Sequence, residues 1–100
     1  MSNTLEPSAR DAALRGLPAW TYDATADAIK RRFVFQDFSE AFGFVCRVGL
    51  LAEAAGHHPD WSNVYNRVTI ALRTHDADGV TGKDIGLATA IDALLPASGS

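Results

Sequence analysis

Several features that mark specialised classes of protein are missing from this 100-residue sequence. A single cysteine excludes an internal disulfide, which suits a reducing compartment. Lysine and arginine, 9 in all, are outnumbered by 12 acidic residues, so the net charge of −3 argues against a nucleic-acid-binding module. No apolar run approaches the roughly 20 residues that cross a bilayer, and residues 1–10 lack the apolar core of a signal peptide. We therefore expect a cytoplasmic protein with no direct nucleic-acid or membrane contact.

The composition is that of one globular domain. Hydrophobic residues make up 47% of the chain and charged residues 21%, which is close to the average for folded proteins. A chain of this length can build one modest core, so we predict a single domain over 1–100 with its folded part at about 8–95. Cys46 lies among apolar neighbours and is predicted to be buried.

Hydrophobic periodicity divides the chain into seven elements. Apolar residues at spacings of three and four predict helices, whereas alternation and β-branched or aromatic residues predict strands. The predicted order is a helix at 8–14 capped by Ser8, strands at 19–22 and 28–35, a helix at 37–55, strands at 61–65 and 67–74, and a helix opening at Thr81. Two hairpins separated by a helix predict an α+β fold, with a four-stranded antiparallel sheet and three helices packed on one face.

The helix at 37–55 gives the clearest signal. Asp37 and Glu40 form a capping pair at its start, and Gly56 is placed to end it. Its apolar face is predicted to comprise Phe38, Ala41, Phe42, Val45, Val48, Leu51, Ala52 and Ala55. In the last strand, Val68, Ile70 and Leu72 are predicted to share the buried face.

All three histidines fall where predicted elements end. His57 and His58 follow the long helix, and His75 follows the last strand. Because the ordinary histidine pKa is about 6.5, such groups can donate one proton and accept another near neutral pH. Surface histidines without a function and a three-histidine zinc site are the alternatives, although the sequence has no HExxH pattern and no cysteine pair.

The spacing around these histidines resembles that of the pterin-4a-carbinolamine dehydratase family. Three residues separate Glu53 from His57-His58-Pro59, and Tyr65, His75 and Asp84 then follow with five, nine and eight residues in between. The likeness is closest in the block from His57 to Asn66 and extends from about Trp20 to Leu94. The combined pattern is specific, whereas His-His-Pro alone would be weak.

The resemblance implies a dehydratase acting on 4a-hydroxytetrahydrobiopterin in tetrahydrobiopterin recycling, with no metal and no organic cofactor. It implies that His57, His58 and His75 carry out acid–base catalysis and hold the substrate. It also implies that Pro59, Thr74, Asp76 and Ala77 help to line the pterin pocket. A homodimer or homotetramer is expected, and an aromatic amino acid hydroxylase is a possible partner in the same pathway. The alternative function is a non-catalytic protein-interaction module, such as a dimerisation cofactor of a transcription factor.

Three further residues are assigned supporting roles with alternatives. Glu53 lies one helical turn before His57 and could accept a hydrogen bond from it, or could be a solvated helix residue. Asp84, three residues after Thr81, is favoured as a capping acid that acts indirectly on the His75 loop. Trp61 could flank the pocket, although aromatic packing at the start of a strand is favoured.

Overall fold

The computed structural model describes residues 4–96 and contains the predicted helices and strands. The elements are α1 (Pro7–Arg15), β1 (Thr21–Asp23), β2 (Ala28–Val34), α2 (Phe38–Ala55), β3 (Asp60–Val64), β4 (Arg67–Leu72) and α3 (Gly82–Asp92). A short 3-10 turn over His75–Ala77, which periodicity did not predict, connects β4 to α3. The α+β architecture predicted from the sequence is therefore confirmed.

The four strands form one antiparallel sheet in the order β1-β2-β4-β3. The two central strands are paired from Ile29 opposite Leu72 to Val34 opposite Arg67. β1 and β3 are the edge strands, and β3 pairs with β4 from Asp60 opposite Ala71 to Val64 opposite Arg67. The crossover through α2 thus makes neighbours of two strands that are distant in the sequence.

The core lies between the sheet and the helices. Val68, Ile70 and Leu72 are fully buried on one face of β4, as their alternation predicted. Residues of the other elements and of the segments between them complete this core: Leu17, Trp20, Ile29, Phe33, Ala41, Phe44, Val48, Val80, Leu87, Ala88 and Ile91. Burial of this apolar surface is the main force that holds the helices against the sheet. It thereby fixes the position of each helix relative to the strands.

The predicted apolar face of α2 does not coincide with the face that is buried. Phe44 is buried although it was not assigned to that face, whereas Phe38 and Phe42 are about half exposed and stack with ring centroids 5.5 Å apart. Cys46, predicted to be buried, is also exposed. At about 100° per residue, position 46 is turned roughly 200° from Phe44, so the helix directs the thiol away from the sheet.

The beginning of α1 also differs from the prediction. The helix starts one residue earlier than expected, at Pro7, with Glu6 as the N-cap residue and no side-chain capping bond. Ser8 is therefore inside the first turn and does not cap the helix. Proline is well suited to this first position because its fixed φ matches the helix and its missing N–H would have no partner there.

Among residues 4–96 no helix is long and apolar enough to span a membrane.

Candidate active site

The three histidines line one pocket of about 310 Å³. It lies where the C-terminal end of α2, the turn after β4 and the N-terminal end of α3 meet. The residues around it are Gly56, His57, His58, Pro59, Asp60, Thr74, His75, Asp76 and Lys83. His75 is 18 residues after His57 and 17 after His58. These side chains meet because α2 ends on one side of the pocket and β4 ends on the other.

The end of α2 sets the direction in which His57 leaves the helix. Gly56 adopts a left-handed conformation with φ +62°, and the backbone N–H of His57 donates to the carbonyl of Ala52 at 3.1 Å. This is the way glycine commonly ends a helix, because a residue without Cβ takes positive φ at little cost. The chain therefore turns toward the start of α3, and the His57 side chain is only 10% exposed.

Asp84 is the partner of His57. The distance from His57 Nε2 to Asp84 Oδ1 is 2.5 Å, and the Asp84 side chain is fully buried. The other carboxylate oxygen accepts from the backbone N–H of Thr81 at 2.8 Å and from the hydroxyl of Thr74 at 2.9 Å. Asp84 completes a capping box with Thr81, as predicted. Its effect on the histidines was expected to be indirect and through the His75 loop, but it contacts His57 directly.

Glu53 does not contact His57, so of the two alternatives for this residue the hydrogen bond to the His57 ring is not formed. Its Oε1 lies 2.9 Å from Nε2 of His58, and the two side chains are 81% and 64% exposed. A pair so open to water contributes little to stability. His58 therefore lies at the rim of the pocket beside an exposed carboxylate, whereas His57 is held by a buried one.

The turn after β4 presents His75. Thr74 forms an isolated bridge with Gly79, and the 3-10 turn between them carries His75 and Asp76 to the pocket. Nη1 of Arg73 lies 3.4 Å from Nδ1 of His75, and Nη2 of the same guanidinium donates to Asp78 at 2.7 Å. The bond to Asp78 raises the pKa of Arg73 further above its ordinary value, which keeps the guanidinium charged.

The remaining predicted residues are placed unequally. Pro59 and Asp76 line the pocket, whereas Ala77 is buried at 8% exposure and is absent from the lining. Trp61, 37% exposed, packs its ring toward Gly49 of α2 and does not line the pocket. The favoured interpretation of Trp61 as a packing residue therefore fits its position.

Sequence reasoning missed three residues of the site. Lys83 lines the pocket, Arg73 contacts His75, and the hydroxyl of Thr81 lies 2.7 Å from that of Thr74. Arg73 and His75 share one parity at the end of a predicted strand, which was the available signal for that contact. Lys83 and Thr81 were visible only as residues of a helix start.

A metal site finds no support in the arrangement of the described side chains. Within residues 4–96 no three histidine, cysteine or acidic side chains are grouped so that they could hold a metal ion.

Comparison with known proteins gives a consistent result. The family model for pterin 4 alpha carbinolamine dehydratase matches residues 3–94. A relative from Rhodopseudomonas palustris is 53% identical over 94 residues, which cover 94% of this chain and 93% of the relative. One from Rhodospirillum rubrum is 52% identical over 95 residues, which cover 95% and 99%. Both have the provisional name pterin-4-alpha-carbinolamine dehydratase.

A solved structure agrees with these relatives. The crystal structure of a transcriptional coactivator/pterin dehydratase from Brucella melitensis matches with a TM-score of 0.90 and 45% sequence identity. The match covers 94% of this chain and 100% of that one. The similarity therefore extends over the whole fold, including the elements that bound the pocket.

Proposed function

Because the chain belongs to the pterin-4-alpha-carbinolamine dehydratase family, we propose that it removes water from 4a-hydroxytetrahydrobiopterin and releases the quinonoid dihydropterin. This reaction would serve tetrahydrobiopterin recycling in the cytoplasm. The observation that carries the proposal is the meeting of His57, His58 and His75 at one pocket formed by three separate elements.

The reaction needs the chemistry that these side chains offer. The 4a-hydroxyl is a poor leaving group until it receives a proton, and the proton on the adjacent ring nitrogen must leave as the imine bond forms. Imidazoles can donate to the oxygen and accept from the nitrogen near neutral pH, and each such group contributes about 10²–10⁴ in rate. The proposal therefore requires no metal and no organic cofactor.

The positions of the side chains support different roles. His57 is held by a buried carboxylate and His75 is contacted by a charged guanidinium, so these two are the proposed catalytic pair. His58 is exposed at the rim and is proposed to hold the pterin ring. Pro59 and Asp76 are proposed to contact the substrate directly.

Two predicted substrate contacts are proposed to act through neighbouring residues, Thr74 from the pocket wall and Ala77 from behind it. Thr74 is 9% exposed and donates to Asp84, and Ala77 is equally enclosed at 8%. Thr74 thereby supports the carboxylate that holds His57, and Ala77 anchors the turn that carries His75.

The direct experiment measures dehydration of 4a-hydroxytetrahydrobiopterin by the purified protein, with the uncatalysed rate in the same buffer subtracted. We expect turnover well above that rate. Replacing His57 or His75 with alanine should lower kcat strongly, and the double variant should cost less than the product of the two single effects, because both groups act on one transition state. His58→Ala should raise KM more than it lowers kcat.

A protein-interaction function is the second candidate, and the outer face of α2 favours it. Phe38 and Phe42 stack there at about half exposure, and Leu50 is 74% exposed. An exposed apolar surface of this kind marks many protein contacts. Dehydration at the buffer rate by a folded protein, shown by cooperative unfolding, would contradict the enzyme and favour this function.

A further inference from the structure

The hydrogen bonds around Asp84 determine which nitrogen of His57 carries a proton. The backbone N–H of Lys83 donates to the hydroxyl oxygen of Thr81 at 3.2 Å. The Thr74 hydroxyl donates to Asp84, so the bond of 2.7 Å between the two threonines must take its proton from Thr81. Each hydroxyl thus donates once, so the hydrogen bonds run in one direction, from Thr81 to Thr74 and from Thr74 to Asp84.

Asp84 consequently acts only as an acceptor. Its Oδ2 already receives two donors, the Thr81 backbone N–H and the Thr74 hydroxyl, and a carboxylate oxygen can only accept. The ring nitrogen facing Oδ1 must therefore be Nε2–H of His57. In the neutral ring the remaining nitrogen, Nδ1, is left with a lone pair that can accept a proton.

His75 is held the other way round. A guanidinium has five N–H donors and no acceptor, so the nitrogen that lies 3.4 Å from Arg73 must offer its lone pair. That nitrogen is Nδ1, and the neutral ring then carries its proton on Nε2. Both rings are protonated on Nε2, yet among residues 4–96 Nδ1 of His57 remains an acceptor without a partner, whereas Nε2 of His75 remains a donor without one.

On the basis of the proposed dehydration, we propose that His57 is the base and that His75 donates a hydrogen bond to the departing oxygen. Arg73 is the positioning residue, because its N–H faces Nδ1 of His75 and thereby leaves the ring proton on Nε2. The C4a–O bond breaks as the N5–H bonding pair becomes the C4a=N5 double bond. The N5 proton passes to Nδ1 of His57. The imidazolium returns that proton to the oxygen, which leaves as water while Nε2–H of His75 holds it, so no net proton is gained or lost.

Amide substitutions separate a donor from a base, because an amide N–H can donate but an amide is not basic. Glutamine places its amide nitrogen near the position of Nε2, and asparagine places its amide near that of Nδ1. We expect His75→Gln to remain within about tenfold of the wild-type kcat, whereas His75→Ala loses about 10²–10³. His57→Asn and His57→Ala should both lose about 10²–10⁴. A folded His75→Gln as inactive as His75→Ala would overturn the assignment.

Arg73 is tested by a double-mutant cycle and by NMR. Arg73→Met should lower kcat severalfold in the wild-type background and cause no further loss in His75→Gln, whereas Arg73→Lys should restore most of the activity. In ¹⁵N-labelled protein, Nδ1 of His75 should be unprotonated, and its resonance should move in Arg73→Met. Equal losses from Arg73→Met in both backgrounds would show a purely structural role.

The NMR experiment is independent of the substrate. Because the chain has three histidines, single histidine replacements assign every ring nitrogen in the free protein. A protonated Nδ1 on either His57 or His75 in the neutral rings would refute the inference even if dehydration were confirmed. The predicted pattern with no dehydratase activity would instead refute the proposed function alone.

Discussion

Asp84→Asn should inactivate the protein while leaving it folded. Asp84 accepts three hydrogen bonds, from His57, from the Thr81 backbone and from the Thr74 hydroxyl. An asparagine can keep the last two only by placing its carbonyl oxygen at the Oδ2 position, which turns its NH₂ toward His57. Nε2 must then accept, and the proton of the neutral ring moves to Nδ1. The lone pair proposed to act as the base is lost.

The magnitudes for activity and stability differ sharply. Losing the base should lower kcat by about 10²–10⁴. Because every donor keeps a partner, unfolding should become easier by only about 1–2 kcal/mol. Asp84→Ala leaves three buried donors without an acceptor at about 1–3 kcal/mol each, so a loss of roughly 3–9 kcal/mol is expected. For a domain with about 5–15 kcal/mol of stability, that variant is at risk of unfolding, which makes asparagine the informative change.

Urea unfolding followed by tryptophan fluorescence measures stability, and dehydration above the buffer rate measures kcat. Asp37→Asn is the matched control, because Asp37 caps α2 by accepting from the backbone of Glu40 at 2.9 Å, and asparagine caps a helix comparably. The control should change neither quantity appreciably. Asp84→Asn within tenfold of wild-type kcat, or as unstable as Asp84→Ala, would refute the reasoning.

Three other predictions concern the remaining features. Light scattering at micromolar concentration should show at least a dimer. Val64→Lys on the edge strand β3 should reduce the measured mass toward 10.7 kDa, and a wild-type mass of 10.7 kDa alone would contradict this. A chelator should leave activity intact, whereas loss that zinc restores would favour a metal enzyme. The hydrogen bond to Asp27 raises the pKa of Tyr22 above its ordinary value near 10. Its stabilising contribution is therefore complete below about pH 10 and is lost as pH rises through the raised value. In a Tyr65→Phe background, Asp27→Asn should shift tyrosinate absorbance to lower pH; an unchanged titration would contradict the cause.

Sequence periodicity determined the elements because it reports a property local to each segment. The alternation of Val68, Ile70 and Leu72 identified the buried face of β4 without knowledge of its neighbours. The helix at 37–55 was predicted with its Asp37 cap and Gly56 terminator for the same reason, since capping involves residues only a few positions apart. The spacing of the histidines also indicated the family, and the comparisons confirmed that prediction.

The exposure of individual side chains on α2 was decided by tertiary structure. Phe38, Phe42 and Phe44 are equally apolar in the sequence, yet only Phe44 packs against Phe33 and Phe35, with ring centroids 4.8 and 4.9 Å away. A helix with apolar residues on more than one side can rotate to bury either stripe. The sheet beneath it selects one, and the sequence pattern alone does not contain that choice.

The partners of the histidines were likewise decided by tertiary structure. Helical spacing suggested Glu53 for His57, because residues four apart share a face of a helix. The left-handed turn at Gly56 takes His57 out of that helix, and α3 delivers Asp84 to it from 27 residues further along the chain. Local spacing predicts contacts only while the backbone remains regular. Beyond the turn, the packing of α3 against α2 determines which carboxylate meets which imidazole, and that packing depends on the whole core.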